Sequence, residues 1–499
     1  MRKWWPLVGV CLGTFMLLLD LTILSVALPS VAVGLHTTLA GLQWVLDIYA
    51  LALAALVLVG GSVADIVGRR RVYLYGLAVF AVASLACGLS TSVVFLVTAR
   101  AVQGIGAAAM YATTIALLAD HYTGRDRGTA FGVWGAVNGV AGAAGPLVGG
   151  LITEYLNWRW IFGVNIPICL VAVLITLRCL HETEKRAQRK FDIPGMVSFA
   201  VAATAIVYGL ILVNGTGWTD PSTLLVFAAA VVALVVFVIV ELRTESPFID
   251  LRLLRSKAFN MIMVATLVLQ VAAFTYMPFT SLWIQSVLGA GPMQGGLVFA
   301  AQGGGALVAS LLAGRFLHGV APRWSVGFGV LIVGCGALLQ AGIGADADSS
   351  AVILGLAVSG IGIGLGTPTL VSAAVAAVPP KDAGMAGGAV NTLRQFGYAL
   401  GVAVLGLIFA SAVQSSFESS HSVADPHAAA EKLASGGAGE LLAANRGLTG
   451  AVQHAFVSGL NTICLVAGLL GVVGGLLVLV FGAVRTKDDK AVPEPVKTT

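Results

Sequence analysis

The segment Leu19-Asp20-Leu21-Thr22-Ile23-Leu24-Ser25-Val26-Ala27-Leu28-Pro29 places a carboxylate inside the first long apolar run of the chain. The run extends from about 6 to 33 without another charge, and ~20 residues of helix suffice to cross a hydrocarbon core. An ionised aspartate at the centre of a spanning helix costs roughly 2.5–3.5 kcal/mol, so such groups face a polar interior, pair, or take up a proton. We therefore predict that Asp20 is a proton-binding carboxylate. The alternative is a structural aspartate that is hydrogen-bonded to a neighbouring helix.

The composition is that of a polytopic membrane protein. Of the 499 residues, 58% are hydrophobic and 10% are charged, whereas soluble domains carry ~25% charged residues. The basic residues are scattered through the loops, which argues against nucleic acid as a partner. The six cysteines lack metal-ligand spacing, and no G-x-x-x-x-G-K-[ST], H-E-x-x-H or G-x-S-x-G motif occurs. The sequence therefore predicts no disulfide, metal, cofactor, ATP hydrolysis or enzymatic activity.

Fourteen apolar runs are long enough to span a membrane. If the N-terminus is inside, most of the 28 lysines and arginines fall on the cytoplasmic side. The positive-inside rule then fixes the orientation, and the even number of runs returns the C-terminus to the cytoplasm.

A repeated loop indicates two halves. The segment from Gly61 to Arg70 follows the second run, and a degraded copy from Gly314 to Arg323 follows the tenth. We predict an all-α membrane fold of two six-helix bundles plus two extra central helices, as in transporters built from repeats. The predicted divisions are 1–182 for the first bundle, 183–255 for a linker with helices 7 and 8, 256–484 for the second bundle and 485–499 for a disordered cytoplasmic tail. A long exterior loop, 414–455, is rich in Ala, Gly and Ser and is predicted to be mobile.

The fourth run offers Asp20 a partner. Arg100 and Gln103 are three residues apart and share one helix face. Counted from the outer helix ends, Arg100 and Asp20 lie at similar depths of ~12 and ~15 Å. Such a pair keeps the carboxylate ionised until a proton or a ligand competes, which is a route to exchanging protons for cargo. A static buried ion pair is the alternative.

Asp47 lies near the outer start of the second run and is a further candidate for protonation. The alternative is that Asp47 is simply a carboxylate at the membrane interface. The sequence leaves both interpretations of Asp47 open.

The loop after the second run predicts a conformational latch at a cytoplasmic helix end. Acidic, basic and glycine residues occur there together: Gly61, Asp65, Gly68, Arg69 and Arg70. Ordinary topology signalling by the arginines is the alternative. The second copy of the loop favours the latch.

In the fifth run, glycines recur every three or four residues, so one face is almost without side chains. Small residues let helices pack closely, and a proline bends a helix. Packing alone explains the glycines, but the adjacent Gly145 and Pro146, followed by Gly149 and Gly150, indicate a rocking element.

A pliable pocket for amphipathic cargo is predicted from aromatic, methionine and polar side chains. Gln270, Phe274 and Met277 share a face in the run from about 260 to 288. The full set of candidate cavity residues is Thr22, Gln103, Gln270, Phe274, Met277, Asn391 and Arg394. Ordinary packing is the alternative.

Taken together, these stretches resemble the major facilitator superfamily, and within it the fourteen-helix drug:proton antiporters. The segment from Leu19 to Pro29 is similar to the family signature L-D-x-T-x-x-N-x-A-L-P, with Ser25 where asparagine is usual. The segment from Ala144 to Gly150 is similar to the antiporter motif of helix 5, with Ala141 at the usual place of its first glycine. Further stretches that resemble family motifs are Gly61–Arg71, Arg100–Gly106, Trp158–Phe162 and Asn391–Gln395.

The resemblance implies a monomer in a bacterial cytoplasmic membrane that exports amphipathic drugs or antibiotics in exchange for protons. It implies Asp20 and Arg100 as coupling residues and Gly145 with Pro146 as the control of alternating access. Because the tenth run lacks a carboxylate, neutral or singly charged cargo is expected rather than divalent cations. The other hypotheses are uptake or uniport of a specific metabolite, and a membrane receptor on the same fold without flux.

Overall fold

The computed structural model describes residues 2–182, 192–244, 247, 251–316, 320–378 and 383–481. Every regular element within these residues is helical, so the predicted all-α fold is confirmed. The predicted cytoplasmic tail, most of the basic stretch between 183 and 191, and the centre of the degraded loop copy lie outside the described residues.

The helices follow one another with short connections. Their bounds are α1 Trp5–Leu35, α2 Leu39–Val67, α3 Arg69–Gly88, α4 Val93–His121, α5 Gly124–Tyr155, α6 Trp160–Gly163, α7 Asn165–Cys179, α8 Ile193–Thr216, α9 Pro221–Arg243, α10 Lys257–Phe274, α11 Met277–Leu282, α12 Pro292–Phe316, α13 Pro322–Leu338, α14 Ile353–Ala376, α15 Ala383–Ser420, α16 Pro426–Ala434, α17 Ala438–Ala444 and α18 Thr449–Phe481.

Within the described residues, twelve helical segments are long and apolar enough to cross a membrane. Two of the fourteen predicted spans are not among them: one lies in α5, which has 32 residues, and the other in α13, an apolar helix of 17 residues. The count of fourteen is therefore not confirmed, although a helix occupies each predicted position.

Two helix bundles form the body of the molecule. In the first, α1 packs on α5 and α7, and α4 packs on α2 and α3; in the second, α14 packs on α12 and α13, and α18 packs on α13 and α15. The bundles meet where α2 packs on α15 and where α5 packs on α12. We call the end at which α1 ends and α2 begins the outer end, following the predicted orientation.

The extra hairpin α8–α9 covers the seam between α2 and α15. Helix α8 packs on both of these helices, with the rings of Trp44 and Tyr208 5.8 Å apart and those of Phe199 and Phe396 6.3 Å apart. Leu225, on α9, is 71% exposed, as expected for a helix that faces lipid. The hairpin therefore braces the seam between the bundles.

Polar side chains fix several helix starts outside the apolar spans. Asp220 accepts hydrogen bonds from the side chain and the backbone N–H of Ser222, which lower the pKa of the Asp220 carboxyl. Asp348 is held in the same way by Ser350, with the same effect on its pKa. Both are aspartates at N-cap positions, where a side-chain oxygen satisfies a free backbone N–H.

The run predicted from 260 to 288 is not one helix. Helix α10 ends at Phe274 and α11 begins at Met277, because Pro278 has no N–H and its ring would clash with the carbonyl four residues earlier. A π-helical turn, Trp283–Val287, completes the span. The helical spacing that placed Phe274 and Met277 on one face is therefore interrupted.

The exterior segment is folded, contrary to the prediction of a mobile loop. Helices α16 and α17 lie over the outer end of the second bundle, with Ala429, Ala430 and Leu433 buried in a cluster that contains Trp283 and Phe409. Helix α16 also contacts α2 of the first bundle. Its apolar residues form one helical face, which the overall Ala/Gly/Ser composition obscures.

Candidate functional site

Asp20 and Arg100 form a buried ion pair, as their matched depths predict. Arg100 Nη1 donates to Asp20 Oδ2, and each side chain is 1% exposed. The Arg100 guanidinium also donates through Nε to the Val45 carbonyl at 3.2 Å and lies over the Tyr49 ring at 4.2 Å. The arginine is thus held on several sides within the first bundle.

Amide and hydroxyl groups complete the surroundings of the carboxylate. Asp20 Oδ1 accepts from Gln103 Nε2 and from Asn165 Nδ2, each at 3.0 Å. Asn165 Nδ2 also approaches Ser84 Oγ at 3.0 Å, and Ser84 donates to the Phe162 carbonyl at 2.8 Å. Both carboxylate oxygens of Asp20 therefore accept hydrogen bonds from buried donors.

The side chains of the network come from five helices of one bundle, α1, α2, α3, α4 and α7. A buried ion pair is tolerated when its remaining hydrogen-bonding groups are also satisfied, and this one meets that condition. Gln103 was predicted as a cavity residue but is fully buried in this network. Ser84 and Tyr49 were not predicted, since nothing in the sequence relates their helices to α1.

Asp47 has the opposite environment. It is 0% exposed, yet neither carboxylate oxygen has a hydrogen-bond partner among the described residues. It is therefore not at the membrane interface. Removing an ionised carboxylate from water without a partner costs several kcal/mol, so the geometry accommodates the neutral acid.

Asp47 lies in the seam between the bundles. On the same face of α2, Gln43 donates to the Val402 carbonyl at 3.1 Å, and the Ala54 carbonyl accepts from Thr392 at 3.0 Å. These two contacts with α15 flank Asp47 along the helix. Closure of the α2–α15 seam is therefore what buries its carboxyl group.

Tyr398 reaches across this seam from the second bundle. Its hydroxyl lies near the Ser25 side chain of α1 and near Asp47. Ser25, which stands where the family signature has asparagine, is thus part of the contact between the bundles. The sequence contained no signal for Tyr398.

The glycines of the helix 5 motif lie where the backbone of α5 comes close to neighbouring helices. A Cβ on Gly150 would lie 2.6 Å from the Pro292 carbonyl oxygen and 3.0 Å from Met293 Cα, both in the second bundle, and a Cβ on Gly149 would lie 2.7 Å from the Ile23 carbonyl oxygen. A Cβ on Gly145 would overlap Thr22 Oγ1, and one on Gly296 would meet the Pro146 carbonyl. The motif therefore brings α5 against both α1 and α12.

We expect Gly150→Val to prevent α5 and α12 from closing, because no flexible side chain can yield at that contact. Transport turnover should fall by at least about tenfold, since small residues are needed where membrane helices approach closely. The matched control is Gly142→Ala in the same helix, where an added Cβ meets nothing within 4 Å. Uptake of a fluorescent substrate into inverted vesicles measures both, and equal rates for the two variants would contradict the prediction.

The contacts between the bundles define the conformation. Besides the seam around Asp47, Gln285 donates to the Val26 carbonyl at 2.7 Å and Met293 N–H donates to Glu154 at 3.0 Å, both toward the outer end. Of the hydrogen bonds between the bundles named above and here, one lies nearest the cytoplasmic end. In it, the Tyr111 hydroxyl donates to Asn391 Oδ1 at 3.2 Å. The outer side of the molecule is therefore closed.

The predicted latch residues are engaged within the first bundle. Arg69 pairs with Asp120 at the end of α4, while the Arg70 backbone N–H donates to Glu182 at 3.2 Å and its guanidinium to the Leu177 carbonyl at 2.9 Å. Gly68 has φ +115°, which favours glycine. Nothing lies within 4 Å of a Cβ on Gly61, and the side chain of Asp65 lies outside the described part.

The remaining cavity candidates divide into two groups. Met277 is 4% exposed in the outer core of the second bundle. Phe274 is half-buried and contacts the hydrophobic clusters of both bundles. Thr22 hydrogen-bonds to its own helix at the Leu18 carbonyl. Gln270, Asn391 and Arg394 lie on α10 and α15, which pack together.

The second bundle carries an uncharged counterpart of the Asp20 network. Gln340 donates to the Tyr276 hydroxyl at 3.2 Å, which donates to Ser359 at 3.4 Å, and Gln302 donates to the Ala273 carbonyl at 2.8 Å. No aspartate, glutamate, lysine or arginine takes part in these contacts. The Asp20 and Asp47 carboxylates, by contrast, both lie in the first bundle.

Known proteins support the family resemblance. The chain is similar to the tetracenomycin C resistance and export protein of Streptomyces glaucescens, with 32% identity over 99% of this chain and 93% of that protein. It is 37% identical to a cephamycin export protein of Amycolatopsis lactamdurans over 80% of this chain and 83% of that protein. It is 33% identical to a multidrug resistance protein of Mycobacterium tuberculosis over 83% of this chain and 77% of that protein.

Solved structures agree with the fold. A POT family peptide transporter in an auto-inhibited form matches with a TM-score of 0.67 at 12% identity, covering 96% of each chain. A bacterial homologue of the lysosomal transporter Spinster, in an inward-facing and unoccupied conformation, matches with a TM-score of 0.62 at 15% identity over 96% of this chain and 97% of that one. The model of the Major Facilitator Superfamily matches residues 10–402, and the chain belongs to this superfamily.

Proposed function

We propose that this chain exports amphipathic compounds across a bacterial cytoplasmic membrane in exchange for protons, by alternating access between its two bundles. The names of its relatives, which include antibiotic export and multidrug resistance proteins, support export. The chain holds both bundles, so we propose that it works as a monomer with both termini in the cytoplasm. No catalytic step is assigned to it.

The observation that carries proton coupling is the contrast between two buried carboxylates. Asp20 is surrounded by donors and paired with Arg100, whereas Asp47 lies in the seam between the bundles with no hydrogen-bond partner among the described residues. Asp47 therefore takes up a proton before the outer side closes, since an ionised carboxylate there would oppose closure. This links proton entry from outside to the conformational change.

Asp20 and Arg100 form the second coupling element in this proposal. Because all their described partners belong to the first bundle, Asp20 can be protonated only when Arg100 and the amides of Gln103 and Asn165 loosen within that bundle. The latch of Arg69 with Asp120 lies at the cytoplasmic end of the same α4. A change in α4 thus reaches both the ion pair and the latch.

A specific observation favours one alternative. The chain is 30% identical to a riboflavin transporter of Clostridioides difficile over 83% of its length. Transport of a specific metabolite without proton exchange is therefore the second candidate, and the experiment below separates it from the first.

The deciding experiment reconstitutes the chain in proteoliposomes with an imposed pH gradient and follows proton movement with a pH-sensitive dye. A panel of lipophilic cations, neutral antibiotics and aromatic acids is added one at a time. We expect substrate-dependent proton release for some of these compounds. Accumulation of a compound with no proton movement would favour the uniport alternative, and neither flux nor proton movement would overturn the proposal of transport.

A further inference from the structure

Arg394 occupies the face of α15 that meets the first bundle. Asn391, one turn toward the cytoplasmic end, accepts a hydrogen bond from Tyr111 of α4. Tyr398, one turn toward the outer end, contacts Ser25 of α1. Since residues three or four apart share a helix face, Arg394 lies between these two contacts. Its Cα is 11 residues from the start of α15, a depth of ~16 Å.

The Arg394 guanidinium has no hydrogen-bond or ion-pair partner among the described residues. Its Nε is buried without a hydrogen bond, and no described acid forms an ion pair with it. The two buried aspartates of the first bundle are already used or neutral: Asp20 pairs with Arg100, and the surroundings of Asp47 accommodate the neutral acid. An arginine at this depth in a membrane protein normally has a partner, and its lack of one points to a ligand.

A second polar group lies beside it. Gln270 of α10 is 8% exposed, with its side-chain oxygen buried and unpartnered. Its Cβ is 3.6 Å from the Cβ position of Gly397, one turn along α15 from Arg394. Phe274 follows one turn later on α10 and is half-buried between the clusters of both bundles. The site therefore offers a positive donor, an acceptor and an aromatic surface.

We infer that Arg394 anchors the anionic group of the cargo, so that the compounds carried include amphipathic aromatic acids. A carboxylate accepts two parallel, charge-assisted hydrogen bonds from the planar guanidinium, and a phenolate accepts one; both are stronger than the bond to a neutral compound, and a cationic compound is repelled. The aromatic body of the cargo lies against Phe274. This inference rests on the proposed function and names its substrate class.

Matched probes test this inference by binding alone. Pyrenebutyrate, pyrenebutyramide and pyrenebutyl-trimethylammonium share one aromatic body and differ in charge. Equilibrium dialysis against the purified full chain in detergent measures their Kd values without any proton gradient. We expect the acid to bind about tenfold or more tightly than the amide, as charge-assisted hydrogen bonds commonly give, and the ammonium compound to bind most weakly.

Three variants assign the preference to Arg394. Arg394→Gln should weaken binding of the acid by about tenfold or more and leave the amide unchanged, while Arg394→Lys should retain part of the preference. Arg243→Gln, at an exposed arginine on the cytoplasmic end of α9, is the control and should bind like the native chain. If Arg394→Gln proves poorly folded, Gln270→Glu gives Arg394 an internal partner and should also reduce binding of the acid.

The outcomes separate this inference from the proposed function. Equal binding of acid and amide to the native chain, or an acid preference that survives in Arg394→Gln, would overturn the anionic site. Preferential acid binding without proton release by any compound in proteoliposomes would leave the site in place and refute proton coupling. Proton release only with cationic compounds, with no binding of the acid, would support proton coupling and refute the anionic site.

Discussion

Asp47→Asn is expected to abolish substrate-driven proton release while leaving the outer side able to close. Asparagine has nearly the shape of the neutral acid and cannot lose a proton, so the seam with α15 closes over it regardless of pH. In the native chain, ionised Asp47 opposes closure by several kcal/mol because no described group pairs with it. Closure should therefore be favoured at low external pH and lost as the pH rises, and the variant should lose this dependence.

Two measurements check the Asp47 prediction. Proton release in proteoliposomes should fall to background in Asp47→Asn and be unchanged in the control Asp220→Asn, where asparagine also serves as an N-cap. Spin labels at positions 40 and 411, which line one outer crevice between α2 and α15, should report a short distance at all pH values in the variant. If Asp47→Asn releases as many protons as the native chain, or if its label distance still changes with pH, the proton site lies elsewhere. Asp20 would then be tested next.

The sequence was sufficient to predict the pair of Asp20 and Arg100. Helical rise turns residue counts into depths, so two charges at one level in neighbouring spans were identifiable without coordinates. Asn165 and Ser84, which complete the network, lie on helices whose positions relative to α1 depend on tertiary packing. Asn165 belongs to the stretch after Trp158 that resembles a family motif, but nothing in the sequence relates Asn165 or Ser84 to Asp20.

The environment of the Asp47 side chain could not be predicted for a related reason. Its position four residues after Gln43 was readable, but whether that face meets lipid, water or α15 depends on how the two bundles dock. The structure places it against α15 with no hydrogen-bond partner in the described part of the chain, which is an environment that only coordinates reveal. The sequence could name Asp47 as a candidate but could not distinguish its role from that of Asp20.

Two features of the structure that differ from the predictions are nevertheless indicated by the sequence. Pro278 marks the end of α10 four residues earlier, so the shared face of Phe274 and Met277 was already in doubt. In the exterior segment, Ala429, Ala430 and Leu433 repeat at helical spacing after a proline and an aspartate cap, which is a helix start signal. Overall composition concealed it, because small residues are common both in linkers and in closely packed helices.

Arg100→Gln should be the most destabilising of these substitutions. It leaves the Asp20 carboxylate fully buried with only neutral donors, and breaking a buried ion pair in this way costs about 3–5 kcal/mol. Asp20→Asn together with Arg100→Gln removes both charges and should recover much of the loss. Thermal unfolding in detergent, followed by tryptophan fluorescence for the native chain, both single variants and the double variant, gives the coupling energy of the pair.

The double variant also decides between the two interpretations of the pair. Without the charges but with the fold restored, a coupling element can no longer exchange protons, whereas a static ion pair can be replaced without loss of flux. We expect proton release to be severely reduced in the folded double variant. If it releases protons like the native chain, the pair is structural and Asp47 alone couples protons to transport. A single Arg100→Gln variant as stable as the native chain would contradict the energetic argument itself, because it would mean that Asp20 finds another way to be neutralised.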